Sequence, residues 1–164
     1  MNHGMRVLRL VAMLAMALLT MSVVAQSKIA FTSTCQKVGT PSWDPIDSLD
    51  HGLSVTQITC TVAGGMMEGA KVTGTMIQEY NKDKGVGISG IQIFRKPDGI
   101  AVWQANSEAI TVSFGPDGRP NGFRLTATGA FKWATGSLAS VAGRSTTHTV
   151  QSVGNRDVGE WTIN

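Results

Sequence analysis

Short alternating segments separated by glycine-containing turns run from about residue 55 to the end of the chain. β-Branched and aromatic side chains alternate there with polar ones, at the period of a strand with one buried face. The turn tripeptides at 97–99 and 116–118 both read Pro-Asp-Gly, in which proline presets φ and glycine tolerates a positive φ. The predicted strands are 55–62, 70–80, 86–95, 100–105, 109–114, 122–130, 137–141, 146–153 and 158–163. This pattern predicts an all-β fold, and we expect a single antiparallel β-barrel of about eight strands.

The first 25 residues have the pattern of a secretory signal peptide. Arg6 and Arg9 precede an apolar run at 10–19, and small or modest side chains at 23–25 suit a signal peptidase. A retained membrane anchor is the alternative, but polar residues at 9, 20 and 22 shorten the apolar core well below the usual ~20 residues. We therefore predict an exported protein, periplasmic or extracellular, with a leader at 1–25, an N-terminal arm and loop at 26–53, and the barrel at 54–164.

Removal of this leader would leave a nearly neutral chain. The mature part has 164 − 25 = 139 residues, with 14 − 2 = 12 basic side chains against 11 acidic ones. A charge of about +1 lacks the basic footprint of a nucleic-acid binder or of an anionic-membrane binder. We therefore expect neither nucleic acid nor membrane as a partner after cleavage. The sequence leaves a homo-oligomer open.

Two cysteines, Cys35 and Cys60, lie in the mature part. In an oxidising compartment such a pair indicates a disulfide first. The alternative is a reactive thiol, but neither cysteine has a neighbouring histidine or a CxxC partner. We predict the disulfide.

One stretch, Gly-Ala-Phe-Lys-Trp-Ala-Thr-Gly-Ser-Leu at 129–138, is more distinctive than the rest. It resembles the G-x-F-x-x-A-x-G segment of the allene oxide cyclase barrel-like proteins, which include plant dirigent proteins and small secreted bacterial proteins. The turns at 83–85 and 97–99 are similar in layout to those of the bacterial members, so the resemblance extends over about 70–163. It implies a calycin-like barrel. No pocket residue of the plant enzymes has a matching position here, so none is carried over.

The same stretch has a physical interpretation. Gly129 and Gly136 are expected where a small barrel bends sharply or where strands approach closely. Phe131 and Trp133 share the strand parity of Leu125, which predicts core or pocket-wall positions.

Motifs for nucleophilic, nucleotide-dependent or metal chemistry are absent from the sequence. There is no GxSxG, Walker or HExxH motif, and the histidines are isolated. The aspartates at 44, 47 and 50 do not have the spacing of a helix-loop-helix calcium site, so we expect a solvated loop with one helical turn at 41–52. The adjacent Met66 and Met67 would point to opposite faces of a strand, which argues against a copper site. We predict no metal and no cofactor.

Strand parity nevertheless places several polar side chains on apolar faces. Glu108 continues the parity of Ile110, and Arg95 continues that of Ile93. A carboxylate in an apolar cavity would be an acid–base group, and Arg95 could pair with it or hold a ligand, so both are the candidate catalytic residues. The alternative is that both lie at strand ends and reach solvent at the rim.

Tyr80, Gln104 and Trp103 are the candidate ligand-binding residues, with Trp103 as an aromatic wall. Gln78 shares the face of Tyr80 in the predicted strand 70–80. In the predicted strand 100–105, however, strict alternation points Trp103 away from Gln104.

The sequence therefore predicts a barrel that encloses a small, largely apolar molecule outside the cytoplasm. The alternatives are an isomerase or cyclase acting on an unsaturated substrate, and an interaction protein with a solid core. An internal cavity with convergent polar groups would favour the first two.

Overall fold

The computed structural model describes residues 27–117, 120–153 and 155–164. Strands dominate this part of the chain, with two short 3-10 helices between them. The elements are β1 (Ile29–Lys37), β2 (Ser42–Ser48), β3 (His51–Ala63), η1 (Gly65–Met67), β4 (Lys71–Asn81), β5 (Lys84–Lys96), β6 (Gly99–Phe114), β7 (Pro120–Ala134), η2 (Gly136–Val141), β8 (Ser145–Val153) and β9 (Arg156–Ile163).

Eight of these strands close into an antiparallel barrel. Each neighbour from β3 to β9 pairs with the next, and β1 pairs with both β9 and β3. Closure removes the unpaired edges that an open sheet would expose. β2 lies outside the ring, against β3 alone. The predicted all-β barrel of about eight strands is confirmed.

The barrel begins earlier than the predicted boundary at residue 54. β1 belongs to the ring, so the predicted arm at 26–53 supplies a barrel strand. Its inward face carries Phe31, Ser33 and Cys35, and the serine interrupts the apolar alternation that would have marked it as a strand. The segment at 41–52, predicted as a loop with a helical turn, forms β2 and the start of β3.

Two other predicted elements differ from the structure. The segments 100–105 and 109–114 are one strand, β6, whose pairing with β7 shifts register between Ala105 and Ser107. The segment 137–141 is the 3-10 helix η2, because Gly136 has φ 59° and turns the chain out of the sheet. Leu138 and Val141, three residues apart, then point into the barrel.

The barrel is solid at the end where η1 and η2 lie. Met67, Leu138 and Val141 are fully buried there against a cluster of aromatic side chains. Phe94 packs edge-on against Phe131 at 5.3 Å between ring centroids. Within the described residues, the interior opens at the opposite end, where β4, β6 and β8 end.

The predicted leader at 1–25 lies outside the described residues. Within the ranges that the structure describes, no helix is long and apolar enough to cross a membrane. The predicted disulfide is present: Cys35 and Cys60 face each other across β1 and β3 and are joined. A disulfide fits an oxidising compartment outside the cytoplasm.

Removal of this disulfide is expected to lower the free energy of unfolding by about 3.5 kcal/mol. The bond cross-links residues 25 apart and therefore restricts the unfolded chain, and it spans the two strands that close the ring. Denaturant unfolding of the double Cys35→Ala, Cys60→Ala variant measures this loss. Thiol labelling of the denatured, unreduced wild type is the control and should find no free cysteine. Equal stability of the two proteins would contradict the prediction.

Candidate functional site

A cavity lies inside the open half of the barrel. It measures about 70 Å³ and adjoins a wide mouth of about 1000 Å³ at the open end. Both spaces are lined by Lys37, Thr56, Tyr80, Phe123 and Asp157. The mouth is therefore the entrance to the cavity.

The mouth is bordered by large apolar side chains that remain exposed. Trp43 from β2 and Leu49 from the turn after it lie on one side, and Phe114 comes from the end of β6. The Trp43 ring lies 6.3 Å from that of Tyr80, measured between centroids. β2, outside the ring, thus extends the wall of the mouth with an apolar surface.

A hydrogen-bonded chain of three side chains runs from the cavity wall into the barrel. The Tyr80 hydroxyl donates to Gln78 Oε1 at 3.0 Å, and Gln78 Nε2 donates to Glu108 Oε2 at 3.2 Å. Gln78 and Tyr80 line the cavity, whereas Glu108 lies behind Gln78 and is not part of the lining. The structure thus connects two of the predicted site residues, Glu108 and Tyr80, through Gln78.

Two glycines of β5 make the space that Glu108 occupies. A Cβ on Gly87 would lie 2.5 Å from Glu108 Oε2, and one on Gly90 would lie 2.9 Å from Oε1. The side chain is only 6% exposed, and within the described residues it has no cationic partner. Burial therefore raises the pKa of the Glu108 carboxyl, while the hydrogen bond from Gln78 lowers it. Burial of the Tyr80 hydroxyl, and to a smaller extent the negative charge of Glu108, raise the pKa of Tyr80 to about 12.

His148 lines the bottom of the cavity. Its ring stacks on Trp161 at 3.7 Å between centroids and meets the edge of Trp103 at 5.1 Å. The residue is 5% exposed, and its buried Nδ1 has no hydrogen-bond partner in the part of the chain that the structure describes. Burial lowers the pKa of His148 to about 3, so the imidazole is neutral at pH 7.

Two oppositely charged side chains, Lys37 and Asp157, lie where the cavity meets the mouth. Lys37 Nζ lies 5.8 Å above the Phe123 ring, and Asp157 accepts a hydrogen bond from Ser152. Burial raises the pKa of Asp157, and the charge of Lys37 lowers it. Nearby, His51 hydrogen-bonds Glu79 at 2.9 Å and Asp47 at 2.8 Å; these bonds raise the pKa of His51 and join β2 to the β3–β4 hairpin.

The expected placement of Arg95 and Gln104 inside the barrel is wrong. Both side chains are exposed on the outer surface, where Arg95 donates to Thr73 Oγ1 at 2.9 Å. The apolar parity of Ile91 and Ile93 misled the assignment of β5, because these isoleucines face outward and Gln92 faces inward. Arg95 therefore cannot pair with Glu108 in this fold.

Trp103 and Trp133 do not lie where the sequence predicted them. Trp103 is fully buried and donates from Nε1 to Thr146 Oγ1 at 2.7 Å, but it packs in the aromatic core below the cavity and does not line it. Trp133, predicted on the inner face with Phe131, is 51% exposed. The β6–β7 pairing shifts register between Val102 and Trp103, and this irregularity reverses the parity after Phe131.

Sequence reasoning missed His148 and Gln92. In β8 the inward residues Thr146 and His148 alternate with the outward Ser145 and Thr147, so both faces are polar and give no hydrophobic contrast. In β5 the inward parity was marked by Phe94, which shares the face of Gln92. Phe94 was therefore the sequence signal that could have identified Gln92 as an inward-facing residue.

Comparison with known proteins gives a fold and no activity. No protein-family model matches the chain, and no curated protein matches it. A solved structure is similar: the crystal structure of a protein with unknown function from Clostridium acetobutylicum ATCC 824. The two share 14% sequence identity with a TM-score of 0.65, over 84% of this chain and 99% of the other. This likeness shows a shared barrel fold.

Proposed function

We propose that this is an exported binding protein that holds a small, largely apolar molecule in the open end of its barrel. The observation that carries the proposal is the largely apolar cavity with a few polar side chains in its lining, which adjoins a wide mouth bordered by exposed apolar side chains. Pockets of this kind bind ligands mainly through apolar area and orient them with a few polar groups. The leader-like sequence and the Cys35–Cys60 disulfide support export.

The distribution of packing argues against a solid-core interaction protein. A barrel without a pocket would be filled by side chains along its length, as the closed end is. The open half instead combines a small apolar cluster around Ile110 and Leu125 with free space beside it. Exposed Trp43, Leu49 and Phe114 leave water when a ligand covers them, which favours binding.

Titration with the uncharged fluorophore N-phenyl-1-naphthylamine tests this proposal. We expect saturable binding to the wild type and a loss of about fivefold or more in affinity for Trp43→Ala. Trp133→Ala is the matched control, since Trp43 and Trp133 are 42% and 51% exposed and only Trp43 lies at the mouth. Its affinity should stay within about twofold of the wild type. Absence of binding, or equal losses in both variants, would overturn the proposal.

Isomerase or cyclase chemistry is the second candidate, and the buried Glu108 favours it. A carboxyl group with a raised pKa could give or take a proton, and Gln78 and Tyr80 connect it to the cavity. An isomerase leaves the mass of its substrate unchanged. Native mass spectrometry and chromatography of the co-purified molecule therefore separate the candidates: an isomerase predicts that Glu108→Gln retains an isomer of equal mass and different retention. A molecule identical to that of the wild type would support binding alone.

A further inference from the structure

The deep end of the cavity contains two polar side chains that the fold does not use. Gln92 and His148 are each 5% exposed and both line the cavity. Within the described residues, the Gln92 amide makes no side-chain hydrogen bond, and His148 Nδ1 has no partner. A buried polar atom is normally hydrogen-bonded, so the unpartnered His148 Nδ1, in the same cavity lining as the unbonded Gln92 amide, points to a partner that the described chain does not supply.

The neighbouring polar groups are already partnered. Trp161 Nε1 donates to Ser33 Oγ at 3.0 Å, and both functional atoms of the Gln78 amide are engaged by Tyr80 and Glu108. The unused hydrogen-bonding capacity is therefore concentrated at Gln92 and His148. A primary amide offers both a donor and an acceptor, and so does a neutral imidazole.

Among the described residues, the charged side chains that line the cavity are Lys37 and Asp157, and both also line the mouth. The neutral state of His148 follows from its burial, while Lys37 and Asp157 lie where the cavity meets the mouth. A charged group placed beside His148 would lose its hydration without gaining a counter-ion, which is costly. The site therefore suits an uncharged group that both donates and accepts hydrogen bonds.

The cavity volume limits the size of that group. About 70 Å³ is roughly the space of two molecules of liquid water, at about 30 Å³ each. A hydroxymethyl or a primary amide group fits this space, whereas a whole ligand does not. The rest of a ligand must lie in the mouth, along Phe123, Phe114 and Trp43.

We propose that the ligand is an amphiphile whose uncharged head group, a hydroxyl or a primary amide, hydrogen-bonds Gln92 and His148 while its apolar part occupies the mouth. This inference rests on the proposed binding function and names its ligand class. It also gives Gln92 and His148, whose polar side chains contribute little to apolar binding, the role of selecting the head group.

Displacement of N-phenyl-1-naphthylamine by molecules with one common chain tests the head group. The probes are 1-octanol, octanamide, sodium octyl sulfate and octyltrimethylammonium, each below its micelle concentration. The two uncharged probes should displace the fluorophore at concentrations about tenfold lower than the two charged ones. Equal displacement by all four would overturn the inference while leaving the binding function intact, whereas absence of fluorophore binding would refute the binding function first.

Variants of the two cavity residues test which side chains cause the preference for uncharged head groups. With each displacement measured relative to that variant's own affinity for the fluorophore, Gln92→Leu and His148→Phe should lose the preference for octanamide over octyltrimethylammonium. Gln104→Leu, an outward glutamine on the adjacent strand β6, is the matched control and should keep it. Retention of the preference in both cavity variants would overturn the assignment.

A measurement on the wild type keeps the test valid if a variant does not fold. Octanamide should shift the ¹⁵N resonances of the His148 imidazole, and octyltrimethylammonium should not. Unchanged resonances at saturating octanamide would also overturn the inference.

Discussion

Gly129→Val is expected to lower the free energy of unfolding by about 3 kcal/mol or more. A Cβ on Gly129 would overlap the indole ring of Trp103 and lie 2.5 Å from the carbonyl oxygen of Gln104. Trp103 is fully buried and hydrogen-bonded to Thr146, so it can move only by breaking that bond and disturbing the aromatic core. Overpacking of a well-filled core typically costs about 1–3 kcal/mol, and the lost hydrogen bond adds to it.

The same substitution at Gly122, on the same strand, is the control. A Cβ there would meet nothing closer than 3.6 Å, the distance to Ser152 Cβ, so Gly122→Val should change stability by less than about 0.5 kcal/mol. Thermal and denaturant unfolding measure both variants. Gly136→Val should resemble Gly129→Val, because Gly136 has a positive φ and its Cβ would overlap the Asp98 carbonyl. Equal unfolding midpoints for Gly129→Val and Gly122→Val would contradict the close approach at Trp103.

Acidification is expected to destabilise the protein through His148. Its pKa falls from 6.5 to about 3 on folding, so between these values the unfolded chain binds a proton that the folded chain does not. The stability that depends on neutral His148 is complete above pH 6.5 and is lost as the pH falls below it. At 1.36 kcal/mol per pH unit, the loss is about 3 kcal/mol by pH 4.

Comparison with His148→Phe isolates this contribution. Phenylalanine keeps a ring beside Trp161 and cannot take up a proton, so the difference in unfolding free energy between wild type and variant should change by about 3 kcal/mol from pH 7 to pH 4. The difference between wild type and variant is used because the raised pKa values of Glu108 and Asp157 change the stability of both proteins with pH in the opposite direction. A difference that stays constant over this range would contradict the prediction.

His51→Gln is a histidine control with the opposite sign. Hydrogen bonds to Glu79 and Asp47 raise the pKa of His51, so its contribution is present below pH 6.5 and is lost as the pH rises through the higher folded value. This variant should therefore keep the acid destabilisation that His148 causes.

The limits of strand parity explain which site residues could be predicted. Glu108 was placed correctly on an inner face because Ile110 lies on the same side of the register shift in β6. Arg95 and Gln104 were misplaced because the apolar residues that share their parity, such as Ile93 in β5 and Ile100 in β6, face outward. Gln92 faces inward and Ile91 outward, so the more apolar face of this segment is the outer one. Hydrophobic contrast identifies the inner face only where the outer face is polar.

The sequence by itself determined the local structure and the covalent constraint. Alternation and Pro-Asp-Gly turns specify short antiparallel strands, and the only pair of cysteines specifies the disulfide, because these depend on neighbouring residues or on residue type. The site was decided by closure of the ring. His148 comes from β8, Gln92 from β5 and Gln78 from β4, and only the register of eight strands and the irregularities within them place these side chains in one cavity. A register shift reverses which side chains face inward, and it depends on tertiary packing that a local sequence pattern does not encode.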